Sequence, residues 1–146
     1  MVDRNNRVEN PWDTDSQWKR SPVQGSVLVV EDVTTVRRGI TLCLRDAGYW
    51  VSEAEDGVEA LELLRKEPVD LVVADIKMSR MDGLKLLEEI RRHPETAGLR
   101  VLMCTSVRLR GEVLHAAQLG VQGFLLKPIR PKAVLDKVNE ILNSAD

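Results

Sequence analysis

The chain has 146 residues, 43% of them hydrophobic, which is enough for one domain with a core of its own. Its 21 Lys and Arg nearly balance 23 Asp and Glu, so a formal net charge of −2 gives no reason to expect nucleic acid as a partner. No apolar run reaches membrane-spanning length and no signal-peptide hydrophobic region follows Met1, so a cytoplasmic protein without a membrane partner is expected.

Residues 1–24 are polar, carry Pro11 and Pro22 as breakers and have no sustained period, and they read as a mobile arm. Trp12 and Trp18 lie in it, either as incidental aromatics or as anchors for the domain or a partner. Residues 25–146 read as one domain. Val27 to Val30 form an apolar run that ends in Glu31-Asp32, and Val36, Ile40, Cys43, Leu44 and Ala47 then recur at helical spacing until Gly48. Trp50 to Ala54 alternate apolar with polar residues, the pattern of an edge strand. Asp56-Gly57 turns the chain into a helix with Ala60, Leu61 and Leu64. Leu71 to Ala74 run into Asp75, and after Met81-Asp82-Gly83 a helix carries Leu84, Leu87 and Ile90 before His93-Pro94 closes it.

Val101 to Cys104 lead to Thr105-Ser106, followed by a helix with Val113, Leu114 and Ala117 that Gly120 stops. Phe124 to Leu126 lead to Lys127-Pro128, and Pro131 opens a last helix with Val134, Val138, Ile141 and Leu142 toward the core. Strands alternating with helices predict an α/β fold: a doubly wound sheet of five parallel strands with five helices, in the flavodoxin-like order 2-1-3-4-5. Cys43 and Cys104 form no CxxC and sit within apolar patterns, so both are expected as buried, reduced thiols.

In an open parallel sheet ligands bind beyond the carboxyl ends of the strands. Glu31, Asp32, Asp75, Thr105 and Lys127 should therefore meet at one rim. Clustered carboxylates repel unless a cation compensates, and a few hard oxygens that leave room for water and phosphoryl oxygens suit magnesium. A lysine and a hydroxyl at the same place can neutralise and hydrogen-bond a phosphoryl group, with one carboxylate as nucleophile. Singly each residue has a plainer account: Asp32 as a helix cap, Lys127 as a solvated charge, Thr105 as a turn former. Their occurrence together favours the chemistry.

Five segments, VVEDVTTVRR at 29–38, EAEDGVEAL at 53–61, DIKMSRMDGLKLL at 75–87, VLMCTS at 101–106 and GFLLKP at 123–128, resemble the receiver domain of two-component response regulators, most closely the single-domain chemotaxis type. The likeness runs from about Ser26 to Leu142, and the strand order 2-1-3-4-5 is partly drawn from it. It implies phosphorylation of Asp75 by a histidine kinase, a histidine phosphotransfer protein or a small phosphodonor. Mg2+ would be held by Glu31, Asp32, Asp75 and the backbone carbonyl of Lys77, and Lys127 would contact the phosphoryl group. The Lys127-Pro128 bond resembles one that is cis in this family. Thr105 and Phe124 resemble the switch pair, through which the surface of the fourth helix, fifth strand and fifth helix would select an effector protein.

Ser79 stands where the family usually has proline, and Lys77 and Val107 occupy positions that tune dephosphorylation; Lys77 on the phosphoryl group and Val107 in the path of water would give a long-lived phosphoform. Phe124 lacks a tyrosine hydroxyl, so its switching can rest only on packing. His93 and His115 are expected as surface residues, and Arg108, Arg110, Arg130, Lys132 and Lys137 as a solvated basic face. The chain is expected to be a monomer that catalyses only its own phosphorylation and dephosphorylation, with dimerisation on phosphorylation left open. The alternatives are a phosphorelay intermediate or phosphate sink, and a magnesium-dependent phosphatase with an aspartyl nucleophile. The last would be expected to carry a general-acid carboxylate where Lys77 stands.

Overall fold

Five strands alternate with five helices along the chain in a computed structural model that describes residues 24–106 and 108–143. In chain order they are β1 (Ser26–Val30), α1 (Thr34–Asp46), β2 (Trp50–Ala54), α2 (Gly57–Lys66) and β3 (Leu71–Asp75). There follow α3 (Gly83–Arg92), β4 (Arg100–Thr105), α4 (Arg110–Gln118), β5 (Gly123–Leu126) and α5 (Pro131–Leu142). All strand pairs are parallel and the order is β2-β1-β3-β4-β5, as expected. Of the arm at 1–24 only Gln24 is among the described residues; Trp12 and Trp18 lie outside them, as does Val107.

Local chemistry sets several boundaries. Asp56 and Asp82 cap α2 and α3, each accepting the N–H three residues on, from Glu59 at 2.9 Å and Lys85 at 3.1 Å. Pro131 begins α5, where its missing N–H would have no intrahelical partner anyway. Asp32 does not take the capping role considered for it: the residue before α1 is Val33, with no side-chain cap, and its N–H is taken by Glu31 Oε2 at 2.9 Å.

The residues of β1, β3 and β4 alternate between two cores. Val27, Val29, Leu71, Val73 and Leu102 pack under Ile40 and Leu44 of α1 and Val134 and Val138 of α5. Leu28, Val30, Val72, Ala74 and Met103 pack under α2, α3 and α4, against Ala60, Leu86, Leu87, Ile90 and Ala116. A side chain as large as Leu or Ile contributes roughly 1.5–3 kcal/mol when fully buried, so these two layers carry most of the stability. The outer strands differ. In β2 Trp50 is exposed, in keeping with an edge, whereas β5, whose apolar run reads like those of the central strands, is half-buried with Leu126 exposed. It pairs only with β4, so β5 is the other edge and its last residue has a neighbour on one side only. Cys104 is buried and Cys43 half-buried, both as free thiols.

Candidate functional site

Because the strands are parallel, β1, β3, β4 and β5 end at one rim, and the residues that follow them share it. Glu31 and Asp32 come directly after β1, and Asp75 is the last residue of β3. Each of the three offers a carboxylate oxygen within 4.8 Å of the others. Glu31 and Asp75 are buried, and Asp32 is the most exposed of the three. Lys127, just past β5, places Nζ 2.6 Å from Asp75 Oδ2, while the other oxygen, Oδ1, accepts the N–H of Lys77 at 3.3 Å. Asp32 Oδ2 accepts the N–H of Ser79 at 3.2 Å.

The main chain at Asp75 is fixed from behind by α3. Gly83 donates its N–H to Ile76 O at 2.9 Å, and a Cβ on Gly83 would stand 2.2 Å from the carbonyl oxygen of Asp75. Only glycine allows that approach.

The electrostatics suit a divalent cation. Burial pushes the Glu31 carboxyl up to about 7, with the Val33 N–H opposing and the charge of Asp75 adding to the rise. The same surroundings push the neighbouring Cys104 thiol up to about 12, through burial first and then Asp75 and Glu31. Two buried carboxylates and a third nearby, with one lysine to offset them, form an excess of hard anionic oxygen, the donor set that fits magnesium.

Residues 27–139 match the family described as response regulator receiver domain. The chain belongs to this family. It is 40% identical over 116 residues to the chemotaxis protein CheY-3 of Vibrio cholerae, spanning 79% of this chain and 89% of that protein. The chemotaxis protein CheY of Pseudomonas aeruginosa is 37% identical over 116 residues, 79% of this chain and 94% of the relative. Among solved structures, the chemotaxis response regulator CheY4 of V. cholerae superimposes with a TM-score of 0.74 at 29% identity, covering 80% of this chain and 97% of that one.

In this receiver domain the remaining predicted residues lie as follows. Thr105 ends β4, is buried, and donates its hydroxyl to Ser106 O at 3.2 Å. Phe124 lies across from Met103 in β5, half-buried against the α2–α4 side of the core. Lys77 turns its ammonium away from Asp75 to Glu112 of α4, at 3.4 Å. The Lys127-Pro128 peptide is cis. His93 and His115 are exposed, His115 Nε2 lying 3.3 Å from Glu88. Of the expected basic face, Lys132 and Lys137 are paired with Asp136 and Glu140.

Two pairs behind the rim were not anticipated. Arg37 donates Nη1 to Glu31 O at 2.7 Å and Nε to Glu53 Oε1 at 2.9 Å. Arg80, with φ of 43°, a backbone region that favours glycine, donates Nε to Asp56 Oδ2 at 2.7 Å. Burial would raise the Asp56 carboxyl, but that bond and the Glu59 N–H hold it below the usual range. The loop from Asp75 to Gly83 is thus tied to the start of α2, where Gly57 also donates to Met81 O at 2.8 Å. The EAEDG segment named Asp56 as a turn former only. A cavity of about 760 Å³ lies at the opposite end of the sheet, lined by Leu61, Leu64, Val69, Asp70 and Leu99, and none of the rim carboxylates reaches it.

Proposed function

We propose that this receiver accepts a phosphoryl group on Asp75 from a histidine kinase or histidine phosphotransfer protein and signals through protein contacts of the α4-β5-α5 face. The observation that carries the reading is the cluster of Glu31, Asp32 and Asp75 with Lys127 on the Asp75 carboxylate. Glu31, Asp32, Asp75 and the main-chain carbonyl of Lys77 would hold Mg2+. When bound, it supplies positive charge for the phosphoryl oxygens. An Asp75 oxygen attacks phosphorus as the bond to the donor imidazole nitrogen breaks, the electron pair returning to the ring, which takes up a proton. Lys127 leaves its ion pair with Asp75 for a phosphoryl oxygen, so its charge is used before and after transfer. Thr105, whose hydroxyl donates to the neighbouring Ser106 carbonyl, turns to the phosphoryl group, and Phe124 repacks into the space vacated.

The reading includes a division into an arm at 1–24 and a receiver domain at 25–146, a monomer in the resting state, and a cytoplasmic site of action. Among the described residues no helix is long and apolar enough to cross a membrane. Beryllium fluoride with magnesium mimics a phosphoryl group on a carboxylate. Wild type should bind it and then capture an effector in a pull-down, and Asp75→Ala should do neither. No binding by the wild type overturns the proposal.

A further inference from the structure

Glu31 is held at every polar group of its main chain. Its N–H donates to Ala54 O at 3.0 Å, extending the β1–β2 pairing one residue past Val30, and its C=O accepts Nη1 of Arg37 at 2.7 Å. Its carboxylate accepts the Val33 N–H at Oε2 and has an oxygen within 4.8 Å of those of Asp32 and Asp75. Arg37 therefore acts on the turn that presents both acids while touching neither carboxylate.

Its charge is taken up elsewhere. Glu53 in β2 divides its two oxygens between Arg37 Nε at 2.9 Å and Arg38 Nη1 at 2.7 Å. The first pair is sheltered, at 13% and 16% side-chain exposure, whereas Arg38 is 52% exposed, so the bond to Arg37 is the one that solvent and salt weaken least. A guanidinium presents its donors in a rigid planar fork that holds a carbonyl and a carboxylate in a fixed mutual geometry; an ammonium is a compact point charge on a flexible stem and fixes no such geometry.

We propose that Arg37, anchored by Glu53, is a positioning residue that sets the Glu31–Asp32 turn for divalent-cation binding. The inference rests on the magnesium site assigned above. Groups that orient metal ligands without touching the ion commonly account for about 10- to 100-fold in affinity.

The test is the magnesium affinity of the intact chain, by calorimetric titration at a temperature where thermal unfolding shows each variant to be folded. Arg37→Ala should bind magnesium about tenfold more weakly than wild type. Arg37→Lys, which keeps the charge without the rigid fork, should fall between them. Arg38→Ala keeps both bonds of Arg37 and should stay within about twofold of wild type. An Arg37→Ala protein that binds like wild type overturns the inference, as does an Arg38→Ala protein that loses as much, since the effect would then be net charge and not position. If Arg37→Ala does not fold, wild-type affinity in Arg37→Lys overturns it equally. A wild type that takes up no magnesium overturns the site assignment itself, and the inference with it.

Discussion

Lys77 illustrates how a residue can stand beside the Asp75 carboxylate and yet be engaged elsewhere. Its N–H lies on Asp75 while its ammonium, more than half exposed, pairs with Glu112. Such a pair in solvent is worth no more than about 1 kcal/mol, so a phosphoryl group on Asp75 would compete for Lys77 easily. Replacing Lys77 by Asn together with Val107 by Glu should therefore speed hydrolysis of phosphorylated Asp75 roughly tenfold, about 1.4 kcal/mol in the barrier. Decay of radiolabelled phosphoprotein checks it, and an unchanged lifetime sinks the idea. The residues at the rim were legible because each ends an apolar run: Glu31, Asp32, Asp75, Thr105 and Lys127 needed only the rule that parallel strands present their carboxyl ends together. Arg37 and Asp56 were not, since their partners lie 16 and 24 residues away and pair only once β2 and the β3–α3 loop are in place.

Among the elements, α3 carries the sharpest constraint. Its first residue, Gly83, has no room for a methyl group, because the nearest atom is the backbone oxygen of Asp75 and not the end of a movable side chain. Gly83→Ala should lower stability by about 1–3 kcal/mol in chemical denaturation and shift the Asp75 main chain as well. A variant as stable as wild type would mean that α3 can slide. The motif MDG showed that a turn was there without showing what pressed against it. Periodicity located all ten elements, and its miss was the burial of β5. An apolar run of four residues reads alike in a central and an edge strand, and only the pairing distinguishes them.

For the molecule as a whole, Glu31 makes stability depend on pH in an identifiable direction. Its carboxyl titrates near 4.5 when unfolded and about 7 when folded, so folding favours the proton. The stabilising contribution is complete below about 4.5 and is lost as pH rises through about 7. Metal-free protein should therefore lose thermal stability between pH 5 and pH 8 relative to Glu31→Gln, and magnesium, which favours the ionised form, should restore it at the upper end. Parallel melting curves for the two proteins, with and without magnesium, would contradict this.

Stability is also distributed unevenly along α4. Arg91 of α3 donates Nε to Leu119 O at 2.6 Å and Nη2 to Gly120 O at 3.0 Å, just past the carboxyl end of α4, and Nη1 to Ala97 O and Leu99 O before β4. Toward its other end the helix has the exposed pair of Glu112 with Lys77, and Ala116 is its one buried residue. Leu109 and Val113 also pack on the core at the near end, but a rod held by main-chain hydrogen bonds at the end far from the rim and by side-chain packing and a solvent-facing ion pair at the other would swing more readily than slide. Whatever disturbs Lys77 would then be felt along α4 as a change of angle, greatest nearest the rim and vanishing at Arg91.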